Sequence, residues 1–386
     1  MALRTGSELT LMLLVGLLGV YAAPVEINSI ILHLHDDPIR AGGLSTIELL
    51  ALGGVAIASG ALADRAGPRQ VVLGGALIAG LAQSASMAVA SLAGLLALRL
   101  MAGLGAGLVY GCACRHANGC RRPSAVFGLA MLCANLLFAG ILAVLPALDA
   151  RFGLAGLFAA LAGVTFAAWL LLAALMRPGA GRGPAEVGAG VEAGTRARAA
   201  FVLAGAGGLF LASVFLSNLG LSMVWTSASR LGVENGLSQS WIAYALALST
   251  LANVAGAGLA AMAALLCGPR PMLLAGLAAG AVAAVLILFA ARPQIYVLAL
   301  CLYGAAYLFI IPFQITMAMH LSPRGHLSAI TGGLGLMSYG CGPLAGGVAA
   351  AMGAYRLVGV ACALLCLCAA LAVVLVREPR LQPALG

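Results

Sequence analysis

Lysine is missing from this sequence: all 20 basic residues are arginine. A phosphate-binding loop of the G-x-x-x-x-G-K-[ST] form is therefore absent, and with it the usual Lys ligand of a nucleotide, which argues against ATP-driven work. Charge of either sign is scarce, with Asp, Glu, Lys and Arg together 8% of the chain. A disulfide framework is not indicated either. Of ten Cys, several (Cys133, Cys301, Cys362, Cys366, Cys368) sit inside apolar runs, where a thiol behaves as a small apolar group. What remains is apolar: 63% of residues are hydrophobic and mean hydropathy is +1.10, well above the roughly 45–50% of soluble domains. So much apolar surface needs lipid as its solvent.

A helix crosses the hydrocarbon core with about 20 apolar residues. Runs of that length occupy 9–33, 42–63, 71–91, 93–114, 124–147 and 152–176, then 201–226, 239–266, 272–291, 294–318, 327–352 and 354–376. Twelve spans leave no space for a sizeable soluble domain, and an all-α integral membrane protein is expected. The first run superficially resembles a signal peptide, but it continues past Ala23 and eleven more follow, so it reads as a retained span. The net charge of +9 could suggest nucleic acid, but the arginines lie in short gaps between spans and so report topology. With the N-terminus inside, 14 arginines fall on the cytoplasmic side and 5 outside, with Arg99 left inside a span. That bias predicts both termini in the cytoplasm. No nucleic-acid partner is expected, and the protein is expected to be a monomer.

The longest gap, rich in Gly, Ala and Arg, reads as a flexible cytoplasmic linker over 177–200. It divides the chain into 1–176 and 201–386, six spans each. The tripeptide "GPR" at 67–69 recurs 201 residues on, at 268–270. Two six-span halves with corresponding loops match a parallel-repeat transporter plan. The stretch "GALADRAGPR" then resembles the loop 2–3 signature of the major facilitator superfamily, through Gly60, Asp64, Arg65, Gly67 and Arg69. "LLALRLMAGLGAG" resembles its fourth-span motif, through Leu95, Arg99, Gly103, Gly105 and Gly107. Pro68 departs from the loop signature, standing where the family has a basic residue.

The resemblance implies twelve helices in two pseudo-symmetric six-helix bundles that move a solute by alternating access, without enzymatic chemistry. It also implies that the loop is a latch. In the family the Asp meets the cytoplasmic N-terminus of the eleventh span, here near His326–Ser328, and the arginines link it to nearby helix ends. Such a latch stabilises the outward-open state. The bland reading makes Arg65 and Arg69 topology signals and Asp64 a turn cap.

Charges inside spans point to the chemistry. At 1.5 Å per residue, Glu26 lies about 26 Å along the first helix from Leu9. On the same rise, Glu48 lies about 24 Å back from Asp64 and Arg99 about 24 Å back from Arg115. All three reach a similar depth, in the outer third of a roughly 30 Å core. A charge there costs about 2.5–3.5 kcal/mol unless it faces a cavity or a partner. Burial raises a carboxyl pKa and a neighbouring Arg lowers it, so an acid under both pulls can load and release a proton. Glu26 is expected to carry the proton, with Arg99 as electrostatic partner and Glu48 as second acid or counter-ion. The resembling family includes drug–proton antiporters with a first-span acid. The alternative leaves both acids solvated at the interface.

The second half has no acid within a span. Its candidates for a substrate cavity are Asn218, Trp225, Trp241, Tyr244, Asn253, Tyr303, Tyr307 and Gln314, side chains suited to an organic, partly apolar solute. Individually each aromatic is also a natural packing or interface residue. The expected function is proton-coupled efflux of a small organic solute across a bacterial inner membrane, with no cofactor. The antiporter motif of span five is missing, and a similar "GCGPLAGG" (Gly340 to Gly347) occurs in span eleven. Uptake of a small organic anion, with Arg99 as its counter-charge, is therefore the second reading. A third class, a membrane metal sensor or redox protein, would use Cys112, Cys114, His116 and Cys120, or His33, His35, Asp36 and Asp37. The cysteine group does not have a recognised structural-zinc spacing, and the His-Asp group would bind a metal only loosely, so no metal is expected.

Overall fold

The computed structural model describes residues 2–89, 91–118, 120, 123–176, 205–288, 292–321, 326–353 and 355–376. Regular structure among them is entirely helical. The first helices are α1 (Ala2–Leu34), α2 (Pro38–Ala66), α3 (Pro68–Ser86) and α4 (Leu92–Asn118). A single stretch, Pro123–Leu175, follows and would be about 80 Å long as one rod. It breaks at Gly153 (φ 64°, ψ −160°), which divides it into two spans, α5 (123–152) and α6 (154–175). The second series is α7 (Ala206–Glu234), α8 (Gln239–Ala263), α9 (Pro269–Leu288), α10 (Pro293–Leu321), α11 (His326–Gly353) and α12 (Arg356–Leu375). The expected linker at 177–200 lies outside the described residues.

Local sequence explains where many helices start. Pro38, Pro68, Pro123, Pro269 and Pro293 each open a helix, at the position where a missing N–H leaves nothing unsatisfied. Asp37 caps α2 by accepting the Arg40 amide at 2.8 Å, as a short side-chain acceptor should. Gly67 (φ 89°) makes the tight passage from α2 to α3, a conformation other residues resist. Nine stretches of the described residues are long and apolar enough to cross a membrane, and one of these is the double-length 126–175. The protein is an integral membrane protein.

α4 packs on α2 and α3 in the first bundle, as α10 packs on α8 and α9 in the second. The 201-residue offset is structural. Gly103 of α4 meets the Glu48 carbonyl of α2, and Gly304 of α10 meets the Ser249 carbonyl of α8. The repeated "GPR" has the same job twice. Arg69 donates to the carbonyls of Met176 (2.9 Å) and Ala173 (3.1 Å) at the end of α6. Arg270 donates to Val374 (2.6 Å) at the end of α12. Each arginine satisfies orphan carbonyls at a helix C-terminus, where a cation is favoured.

The bundles meet along α2–α11, α1–α7 and the contact of α8 with the 123–175 stretch. Two intrahelical prolines shape this seam. Pro24 leaves the Val20 carbonyl without its helical donor, and the Trp225 indole of α7 donates to it at 2.8 Å. Pro343 does likewise for Tyr339, whose carbonyl accepts Ser222 Oγ of α7 at 2.6 Å. Near the α1–α2 turn the seam is tight: Gly42 lies on the Pro343 carbonyl and Gly347 on the Pro38 carbonyl. The Leu344 amide donates to Thr46 Oγ1 at 3.0 Å. The glycines of "GCGPLAGG" thus bring α11 to backbone distance of α2. The two helices thus touch at the α1–α2 face, whereas towards the α2–α3 face a side chain at Gly54, Gly332 or Gly333 would meet nothing within 4 Å.

Candidate functional site

Three charged side chains from three helices meet inside the first bundle. Arg99 Nη1 lies 3.4 Å from Glu26 Oε1 and 3.4 Å from Glu48 Oε2. Their side chains are 1%, 1% and 5% exposed. Arg99 Nη2 donates to Ser86 Oγ of α3 at 2.8 Å, and its guanidinium lies 4.6 Å from the Phe158 ring centroid, a favourable cation–π placement. Small residues allow the approach. A side chain at Gly103 or Gly107 would overlap the carbonyls of Glu48 or Leu52 on α2, and Gly105 meets the Gly75 carbonyl of α3. The fourth-span motif thus holds α4 at backbone contact with two neighbours. A side chain at Gly19 of α1 would occupy the space of Glu48 Oε1.

Charge counting gives the cluster its chemistry. One guanidinium and two carboxylates sum to one excess negative charge, which a single proton neutralises. Uncompensated charge in a low-dielectric interior is costly, so this is a place where one proton can be held. The two acids are not equivalent. Glu48 accepts a hydrogen bond from Arg99 Nη1, whereas Glu26 Oε1 is buried without a hydrogen-bond donor. At 3.4 Å both contacts are longer than the 2.7–2.9 Å of a tight charge-assisted bond.

Beside this cluster lies an aromatic and amide core. Tyr21 stacks on Phe138 (centroids 4.0 Å, planes 8° apart) and donates to Asn135 Oδ1 at 2.9 Å. Asn253 of α8 reaches the same Oδ1 at 3.5 Å. Trp225 stacks with Tyr303 (6.1 Å), Tyr303 with Tyr307 (6.5 Å), and Tyr307 tilts against Tyr339 (5.4 Å). Gln314 donates to Ser217 Oγ at 3.0 Å and receives Asn218 Nδ2 at 3.4 Å. Six of the eight second-half candidates are therefore joined in these contacts, and Trp225 and Asn253 reach across to the first bundle. Trp241 and Tyr244 are not: they pair with each other at the exposed start of α8, 39% and 53% exposed. Tyr21, Asn135, Phe138 and Tyr339 complete the core and were not anticipated. Their signal was a polar or aromatic residue facing inward from spans one, five and eleven.

The loop signature is arranged differently from the latch expectation. Asp64 pairs with Arg115 at the end of α4, Oδ1 to Nη2 2.5 Å, in its own bundle. Arg115 beside it holds the exposed Asp64 carboxyl below its usual value. Arg69 caps α6, Arg65 is exposed, and Gly60 lies within α2, with its surroundings outside the described residues. Of the soft-ligand candidates, Cys120 Sγ points to the His116 carbonyl and His116 Nε2 lies 3.6 Å from Glu8. In the other group Asp36 and Asp37 pair with Arg40, while His33 faces Asp149. Among the described residues no group of three or more His, Cys, Asp or Glu could hold a metal ion.

Twelve helices thus form two repeated bundles around an interior charge cluster. Residues 210–385 match the family described as Major Facilitator Superfamily. The fold of the chain is similar to that of the nucleoside transporter NupG, with TM-score 0.77 and 15% identity over 97% of this chain and 98% of that one. A point mutant of the same transporter gives 0.80 at 15% identity, over 97% and 100%. A structure from work on substrate recognition in proton dependent oligopeptide transporters gives 0.68 at 16%, over 96% and 97%. These identities establish a shared fold. No curated protein matches the sequence.

Proposed function

We propose that the chain is a proton-coupled transporter of a small, uncharged, planar organic solute. Glu26 carries the proton, Glu48 is the fixed counter-ion, and Arg99 is the cation both acids share. The observation that carries this reading is the stoichiometry of the cluster: two buried carboxylates on one buried guanidinium. Protonating Glu26 leaves a neutral Arg99–Glu48 pair, which can cross between states without exposing net charge to a dry interior. Stacked rings (Tyr21 with Phe138, Trp225 with Tyr303) flanked by Asn135, Asn253, Asn218 and Gln314 suit a flat solute with hydrogen-bonding edges. The fold neighbour NupG is a nucleoside transporter, which makes nucleosides the first probes.

The arginine distribution supports the α1–α2 face as the outer one, with both termini in the cytoplasm. In that orientation the conformation described is inward-facing, and the latch loop has its Asp64 engaged within its own bundle. Arg99 as counter-charge for an imported anion is disfavoured, because its guanidinium already faces two carboxylates. Exchange of solute for protons is the first reading. It is tested in proteoliposomes preloaded with a radiolabelled nucleoside and diluted into acidic buffer. Antiport accelerates efflux relative to a no-gradient control. Slower efflux overturns antiport in favour of symport, and an unchanged rate with measurable transport overturns proton coupling.

A further inference from the structure

A further buried acid lies in the first bundle, outside the cluster described above. Asp149, near the end of α5, has a side chain only 6% exposed. Its Oδ1 accepts Ser29 Oγ at 2.5 Å and faces His33 Nε2 at 3.3 Å. His33 is 39% exposed and so touches water at the α1–α2 face. Its ring fits against Gly153, the residue whose positive φ ends α5. Glu26, Ser29 and His33 stand at i, i+3 and i+7 on α1, so they share one helix face. The row runs from the surface to the charge cluster over about 10 Å of helix rise.

We infer that His33, Asp149 and Ser29 form a relay that delivers protons from the α1–α2 face to Glu26. This rests on the proton-coupled reading of Glu26. Hydronium gives its proton to neutral His33 at Nδ1, and the Nε2 proton passes to Asp149 Oδ1, leaving His33 neutral as the other tautomer. The Asp149 proton moves to Ser29 Oγ as the Ser29 hydroxyl proton leaves. A water spanning the one helical turn, about 5 Å, carries that proton to the Glu26 carboxylate. Asp149 is then ionised again and one proton has moved inward. Every fixed member lies on α1 or α5, so the path stays intact when the two bundles rock.

Few other charges intrude. The groups acting on Asp149 are Ser29 and His33. On the same face Asp36 and Asp37 pair with Arg40 (3.5 and 3.3 Å), and Arg151 lies over the Phe152 ring.

The test separates rate from plateau. In proteoliposomes carrying wild type, His33→Gln, Ser29→Ala, Asp149→Asn or Glu26→Gln, proton-driven nucleoside flux is followed to steady state at external pH from about 5 to 8. The relay predicts that His33→Gln and Asp149→Asn slow the approach about tenfold at the alkaline end. It predicts a smaller effect at the acid end and the wild-type plateau for both. Should Asp149→Asn fail to fold, His33→Gln and Ser29→Ala carry the same test. Wild-type rates in these variants across the range overturn the relay, as does a slowing independent of pH, which marks a packing role. Glu26→Gln distinguishes the two levels. If it loses the plateau while the relay variants behave as wild type, only the relay fails. If it keeps the plateau, the proton-site reading beneath the relay fails.

Discussion

Replacing Glu26 with Gln removes one ionisable oxygen pair and changes side-chain volume little. The Arg99–Glu48 pair that remains is neutral, and Arg99 keeps Ser86 and Phe158 as partners. The variant is therefore charge-balanced and should fold, frozen in the electrostatic equivalent of the protonated state. The size of the effect follows from linkage: one proton moving down one pH unit releases about 1.36 kcal/mol, enough for a tenfold solute ratio. A gradient of two units should thus drive wild type to about a hundredfold ratio at one proton per solute. Glu26→Gln should settle at about unity under the same gradient, because a ligand bound equally in both states shifts nothing. Solute counterflow, which needs no net proton movement, should continue. The assay is accumulation of labelled nucleoside in proteoliposomes against a titrated pH gradient. A variant whose plateau rises tenfold per pH unit, as in wild type, would refute the reasoning.

Other perturbations follow from the same contacts. Arg99→Ala leaves two buried carboxylates facing each other, and loss of one partner from a buried ionic group costs about 3–5 kcal/mol; a markedly lower Tm in detergent is expected, partly restored in the double variant Glu26→Gln with Arg99→Ala. Gly103→Val places a branched side chain on the Glu48 carbonyl, so α2 and α4 must separate at a cost of about 1–3 kcal/mol, read as lower Tm and slower transport. Gly347→Val wedges the Pro38 carbonyl away from α11, which should open the α1–α2 face; hydrogen exchange over 38–50 and 340–347 should increase, and unchanged exchange would contradict the tight seam. The Asp64–Arg115 pair lowers the folded-state carboxyl pKa of Asp64. Its contribution is present above the ordinary Asp value and disappears as pH falls through the lowered one. Arg115→Ala should therefore leave stability below that pH unchanged, as acid-dependent melting would reveal.

Much of this architecture is legible in the sequence because lipid imposes a simple rule: helices of fixed length, with charge only where it is answered. Glu26, Glu48 and Arg99 stand out for that reason, and helix rise alone puts them at one depth. What the sequence hides is lateral placement. Tyr21 and Asn135 are ordinary residues of apolar spans until α1 and α5 are packed together. Asp149 is harder still. Pro146 and the nearby Arg151 make 148–151 look like a loop, yet the helix continues to Gly153, and a proline in a membrane helix is tolerated when neighbours satisfy the freed carbonyl. The intrahelical prolines were informative in a way that periodicity does not reveal: Pro24 and Pro343 each leave a carbonyl four residues back, and α7 uses both. The latch loop shows the opposite limit. Its residues match a family pattern, but the pattern does not name the partners that Asp64 and Arg69 take here, Arg115 and the end of α6.

The central claim is that a buried trio of one arginine and two glutamates holds a transferable proton on Glu26. Difference infrared spectroscopy of purified protein between acid and alkaline buffer tests it most directly, because a protonated carboxyl has a carbonyl band that a carboxylate lacks. A buried carboxyl band present at low pH in wild type and missing in Glu26→Gln is the predicted result. The same band persisting undiminished in Glu26→Gln would contradict the account.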